Sequence, residues 1–226
     1  TIYWNNVRHA ARQAGSAGFV KCDSFSYLRG HNASHVINSV NSGTGMVMYR
    51  GTAGGNWYEP FNVNPALTAN GNMLPIILSF TCETMTLAPY ESMVGDAWMK
   101  AGSVSAFKGA VAFFGNTHSA SSVARQRGAV TRGFFDGLFG EKRHRLGQAA
   151  MRAKQQLYTE YPTYTADYRG FNLLGDPSLD VWTGTPQMLD VEHPADLRPG
   201  TQILHVVVAS NGAPVESALV CASMAT

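Results

Sequence analysis

Leu74-Pro75-Ile76-Ile77-Leu78-Ser79-Phe80 is a near-unbroken apolar run of strand length that leads straight into Thr81-Cys82. A strand with one wet face alternates polar and apolar residues. A run this uniform is covered on both faces, as in a parallel sheet. Two other runs read the same way: Gly45-Met46-Val47-Met48-Tyr49-Arg50, closing on Gly51, and Ala110-Val111-Ala112-Phe113-Phe114. Helical periodicity fills the intervals. It covers 5–19, with Val7, Ala10, Ala11 and Ala14 on one face, and 32–40, capped by Asn32 and burying Val36, Ile37 and Val40. Further helices are expected around 93–101, 121–139 and 146–158, the last with Ala149, Ala150, Ala153 and Leu157 on its apolar side. Strands alternating with helices predict an α/β fold with a doubly wound, mostly parallel sheet and helices on both faces.

Beyond Asp176-Pro177 the pattern changes. Short strands are expected at 188–191, 202–209 and 216–222, separated by Pro194, Pro199-Gly200 and Asn211-Gly212, with no helix between them. That is the opening of a β-sandwich, with a boundary near Gly184-Thr185-Pro186. The expected domains are therefore 1–184 and 185–226. Three strands fall short of a sandwich, and three long strands are few for a doubly wound sheet, so both ends read as incomplete.

The 226 residues are 45% hydrophobic and only 14% charged, with 17 basic against 15 acidic side chains. A net charge of +2 offers no electrostatic footprint for nucleic acid, and Lys142-Arg143-His144-Arg145 reads as a solvated helix start. No run approaches the roughly 18 apolar residues of a membrane span. The three cysteines, Cys22, Cys82 and Cys221, have no metal-ligand spacing, and their odd number does not form a closed disulfide framework.

Sites in open α/β sheets form at the carboxyl ends of the strands. That rule isolates three loops. Gly51-Thr52-Ala53-Gly54-Gly55-Asn56-Trp57 is glycine-rich and lacks the Lys-Ser/Thr ending of a phosphate-binding loop. The second loop carries Cys82 and the third His118. A thiol and an imidazole on one rim are the minimum for nucleophilic cysteine chemistry, although a cysteine at a strand end also serves as a small apolar packing residue. Trp57 fits either a substrate pocket or packing over its own loop. Glu83 fits a backbone-positioning role, Asp176 a turn, and Cys22 and Cys221 structural positions.

Several of these stretches resemble gingipain-type cysteine peptidases. The segment from Asn41 to Gly51 resembles the strand leading to that family's His-Gly motif, and Leu78-Ser79-Phe80-Thr81-Cys82 the strand leading to its catalytic cysteine. Phe107 to Gly115 resembles the strand that follows, and Phe171-Asn172-Leu173-Leu174-Gly175-Asp176-Pro177-Ser178-Leu179 the hallmark closing the catalytic domain. The resemblance implies a caspase-like fold, an immunoglobulin-like domain after it, and peptide-bond hydrolysis through a thiolate in a secreted or surface-attached bacterial protein. It implies a protein or peptide substrate, and no cofactor or metal is expected; structural calcium is a feature of relatives only, since no acidic cluster in this chain has the spacing to claim it. Cys82 carries over as nucleophile. The family's histidine does not, because Thr52 stands at its position. Two accounts follow. Either His118 supplies the imidazole, with backbone amides of Gly51, Thr52 and Ala53 around the oxyanion, or the domain is a catalytically inactive module for adhesion, binding or structure.

Overall fold

In the computed structural model the chain opens with α1 (Ile2–Ser16) and α2 (Ala33–Asn41). Asn32 caps α2 through a capping box: its side chain accepts from Ser34 N while His35 reaches back to the Asn32 backbone. Residues 1–86, 93–184, 187–196, 200–201 and 203–221 are described. They fall into two units, Thr1–Gly184 and Thr185–Thr226.

The first unit is built on a four-stranded sheet of β1 (Met46–Tyr49), β4 (Ile76–Ser79), β5 (Ala112–Asn116) and β6 (Phe171–Leu174), in that order. β1, β4 and β5 run parallel, with Met46 beside Ile76 and Ile76 beside Ala112. β6 returns antiparallel, Phe171 opposite Asn116. Between β1 and β4, a small hairpin joins β2 (Ala53–Gly54) to β3 (Asn56–Trp57).

Both sheet faces are covered, as the uniform apolar runs require. Side chains alternate across the sheet with period two. Ile76, Leu78, Phe80, Ala112 and Phe114 face α1, α4 (Ala124–Phe135) and α5 (Leu146–Glu160). Ile77 and Phe113 face the opposite way, towards Val36 and Val40 of α2, the hairpin's Trp57, and Val94 and Trp98 of α3 (Val94–Met99). On the first face Phe80, Phe114, Phe134 and Phe171 form one aromatic cluster, with ring centroids 5.5–6.1 Å apart. α4 and α5 pack closely because Gly133 faces α5: a Cβ there would lie 2.5 Å from Gln156 Cβ and 2.9 Å from the Arg152 carbonyl oxygen.

Several sequence expectations shift. The helix expected at 121–139 is α-helical from Ala124 to Phe135 and then widens into a π turn, Asp136–Gly140. The hallmark segment supplies the fourth strand, β6, preceded by the short α6 (Ala166–Gly170). Asp176 closes a turn, its carboxylate accepting from Ser178 N and Oγ, both at 2.7 Å.

In the second unit a three-stranded antiparallel sheet comprises β7 (Asp190–Glu192), β8 (Val207–Ser210) and β9 (Ala213–Pro214), consistent with the opening of a β-sandwich. The third strand lies ahead of the expected 216–222, because the Asn211-Gly212 turn, both residues at positive φ, makes a tight hairpin directly onto Ala213. Residues 216–221 carry no strand, and Cys221 is exposed, as is Cys22, so neither is a buried structural thiol. Thr185, Pro186, Pro199, Gln202 and Ala222, used in placing the boundary and strands, lie outside the described residues.

Candidate active site

The parallel register places the loops after β1, β4 and β5 on one rim. Hydrogen bonds tie them together there. Thr81 Oγ1 donates to the Gly51 carbonyl at 2.7 Å, and Gly55 N donates to the Glu83 carbonyl at 3.0 Å. Glu83 N points to the His118 carbonyl at 3.4 Å, and Met85 N donates to the Asn116 carbonyl at 3.2 Å. Glu83 itself sits at φ 41°, a left-handed conformation that costs a non-glycine residue of order 1 kcal/mol or more. Its backbone contacts to both neighbouring loops hold it there, and the strained turn presents Cys82 between them.

Cys82 is half-buried and has no disulfide partner. Its Sγ lies 3.5 Å from the Ala120 carbonyl and accepts from Arg127 Nη1 at 2.7 Å. Arg127 sits in the first turn of α4, with its guanidinium divided among three partners. Nε donates to Asp167 Oδ2 at 2.9 Å, Nη2 to Asp167 Oδ1 at 3.2 Å and to the His118 carbonyl at 3.3 Å, and Nη1 to the sulfur. The Arg127 and Asp167 side chains are 5% and 0% exposed, so this ion pair belongs to the interior. Asn116 Nδ2 donates to Asp167 Oδ1 at 2.7 Å, giving the carboxylate a further donor. Asp167 reaches the rim because β6 is antiparallel: the strand begins where its neighbours end, so α6, just ahead of it, lies beside their loops.

Burial pulls the Arg127 pKa down, but the hydrogen bonds and charge of Asp167, then those of Cys82, more than offset this and raise it above the ordinary arginine value. Arg127 is therefore a fixed cation at neutral pH. Arg50, the last residue before the Gly51 loop, is a second, half-buried cation. Its guanidinium donates to the Phe80 and Ala124 carbonyls and to Asn6 Oδ1. Burial lowers its pKa to about 10; Arg127 acts in the same direction, and Tyr3 and Asp167 act against it. Arg50 thus braces three segments around the rim. Tyr164 is pushed up to about 12, by burial first and then by the negative charge of Asp167.

The residues expected from sequence are not all brought together. His118 follows β5 on the correct rim and is half-buried. Its backbone N donates to Asn116 Oδ1 at 2.9 Å and its carbonyl accepts from Glu83 and Arg127. Among the described residues, however, its imidazole makes no hydrogen bond to the sulfur or to anything else. The charged neighbour of Cys82 is Arg127, which the sequence reading missed. Thr52 is exposed; its carbonyl accepts from Tyr49 Oη at 2.8 Å and from Tyr58 N at 3.1 Å. Ala53 is buried in the hairpin. Among the described residues the Gly51 and Thr52 amides donate to no acceptor, so they remain available to one.

Trp57 corrects the substrate-loop expectation. It is 1% exposed, stacked on Tyr49 at 4.5 Å and 10°, with Nε1 donating to Ser79 Oγ at 2.9 Å. The hairpin turns this indole under the sheet, where it packs the core. Among the described residues no group of three or more His, Cys, Asp or Glu side chains is placed to hold a metal ion, and no helix is long and apolar enough to cross a membrane.

Comparison with known proteins accords with this architecture. The Arg-specific cysteine proteinase gingipain R is similar with a TM-score of 0.72 at 20% identity, covering 91% of this chain and 48% of that one. The complex of RgpB pro- and mature domains from Porphyromonas gingivalis gives 0.71 at 20% identity, over 91% of this chain and 49% of that one. A third structure, described as a protease, gives 0.68 at 13%, over 90% and 51%. At these identities the likeness speaks for the fold, and the chain spans about half the length of the solved structures it matches. A search among curated proteins gives no match. The profile of peptidase family C25 matches residues 2–182, which include Cys82, Arg127 and Asp167. The chain belongs to peptidase family C25.

Proposed function

We propose that this chain carries the nucleophile of a cysteine endopeptidase. The observation that supports this most is the Cys82 sulfur: half-buried at the carboxyl rim of the sheet, unpaired, and accepting from a guanidinium at 2.7 Å. A thiol serving only as packing gains nothing from a buried cation, which is costly to desolvate. In the reaction the sulfur attacks the carbonyl carbon of the scissile peptide bond. The S–C bond forms, the C–N bond breaks, and the leaving amine takes a proton from the His118 imidazolium. Water then attacks the thioester, giving a proton back to His118 and releasing the carboxylic acid with return of the sulfur. The Gly51 and Thr52 amides are the candidate donors to the oxyanion, since preorganised backbone donors need no rearrangement as charge develops.

The substrate is a protein or peptide, as family membership implies. Resemblance supports a secreted or surface-attached bacterial protein and an immunoglobulin-like identity for 185–226. Incubation with peptide libraries, followed by mass spectrometry, tests the reading. Cleavage abolished in Cys82→Ala supports it; no cleavage by protein whose Cys82 is alkylated no faster than an ordinary thiol overturns it.

A second reading has its own observation. By resemblance Thr52 stands where the family carries its histidine, and among the described residues the His118 ring has no hydrogen bond to the sulfur. A C25 module retained for adhesion, binding or structure accounts for both. It predicts that the fold persists, and partners remain bound, in Cys82→Ala.

A further inference from the structure

The Cys82 sulfur shares its guanidinium with a buried carboxylate, and the geometry of that sharing assigns separate roles to two groups. A cysteine–histidine pair uses one imidazolium twice, to hold the thiolate and then to protonate the leaving amine. We infer that here the two tasks are divided: Arg127, oriented by Asp167 and Asn116, holds the negative charge on Cys82, and the imidazole of His118 is left with proton transfer alone. This inference rests on the peptidase reading above.

The argument is geometric. Asp167 takes Nε and Nη2 of Arg127 at 2.9 and 3.2 Å, which fixes the plane of the guanidinium, and Nη1 then points at the sulfur at 2.7 Å. Asn116 Nδ2, at 2.7 Å from Oδ1, fixes the carboxylate in turn. The chain Cys82–Arg127–Asp167–Asn116 has the logic of a nucleophile, its partner and an orienting acid, with arginine in the middle place. Arginine remains charged across the working pH range, so it stabilises the thiolate without accepting its proton, which leaves to solvent before substrate binds. A guanidinium also does not protonate an amine on departure. That explains why a site whose sulfur faces arginine still requires His118 on the adjoining loop, and why the ring need not touch the sulfur at rest.

Arg127 is therefore a positioning and charge-holding residue, and iodoacetamide alkylation reads its effect directly. Cys22 and Cys221 are exposed free thiols in the same chain; Cys221 serves as the internal reference by peptide mapping, whereas burial and then Asp23 push the Cys22 thiol up and make it a slow one. At pH 7, Cys82 of the wild-type chain is expected to alkylate faster than either. The double variant Arg127→Gln/Asp167→Asn removes both charges together and so avoids stranding a buried carboxylate. Its Cys82 rate at pH 7 is expected to fall about tenfold or more, the effect of losing an adjacent charge. Arg127→Lys is expected to retain more of the rate than the double variant. His118→Ala is expected to leave alkylation within about twofold of wild type while abolishing peptide cleavage. Circular dichroism confirms folding of each variant.

Two results overturn the division of roles while leaving the peptidase intact. One is a double variant alkylated at pH 7 as fast as wild type with cleavage retained. The other is a His118→Ala variant slowed as much as the double variant. A wild-type Cys82 that reacts no faster than Cys221 overturns both the division of roles and the peptidase reading.

Discussion

Arg127 occupies a position where a helix of this composition ordinarily carries an apolar side chain. It lies three and seven residues ahead of Val130 and Phe134, on the stripe that faces the sheet. A charge on a core stripe is rare unless paired, and that was the one signal in the sequence that could have located it. Asp167 gave no such signal, because its partner lies 40 residues away and only the return of β6 brings them together. Cys82 was legible because it ends an apolar strand; the role of Trp57 was not, because a glycine-rich loop conceals a hairpin that turns inward. Replacing one member of the buried pair, as in Asp167→Ala, is expected to lower unfolding free energy by about 3–5 kcal/mol in denaturant titration. Trp57→Phe leaves the buried Ser79 hydroxyl without its donor and is expected to cost about 1–3 kcal/mol by the same measurement. Tyr49 gives a pH signature. Burial, the largest influence, raises its pKa to about 12, so unfolded tyrosine loses its proton first, near 10. The stability this confers is complete below pH 10 and drains away as pH rises towards 12. In Tyr49→Phe, the decline of unfolding free energy between those values is expected to be shallower than in wild type.

Elements were easier to read than residues, for a physical reason: burial on both faces prints an uninterrupted apolar run, and burial on one prints a 3.6-residue stripe. β1, β4 and β5 were found by the first signature and α1, α2, α4 and α5 by the second, with boundaries moved by a few residues. β6 carries Asn172 in its middle and mixes one buried residue, Phe171, with exposed and partly buried positions, so it printed neither. The short strands of the second unit shifted for a similar reason; β7 and β9 are exposed throughout and carry little periodic signal. Between α4 and α5, contact depends on one missing methyl group. Gly133→Ala would drive a Cβ into Gln156 Cβ and the Arg152 carbonyl, both belonging to a rigid helix. The expected result is a loss of about 1–3 kcal/mol, visible as a lowered Tm, even though alanine is the better helix former.

At the scale of the molecule, the sheet's pairings join segments far apart in sequence. Met46 pairs with Ile76, Ile76 with Ala112, and Phe113 with Leu174. The chain leaves the ribosome amino end first, and domains of this size assemble as units. Cys82 is therefore made long before Arg127, and Arg127 before Asp167. A nascent chain carries the sulfur without its cation, and then the cation without the carboxylate that aims it. The surroundings of the sulfur are complete only when the antiparallel return strand closes the sheet, after every one of their parts has been made.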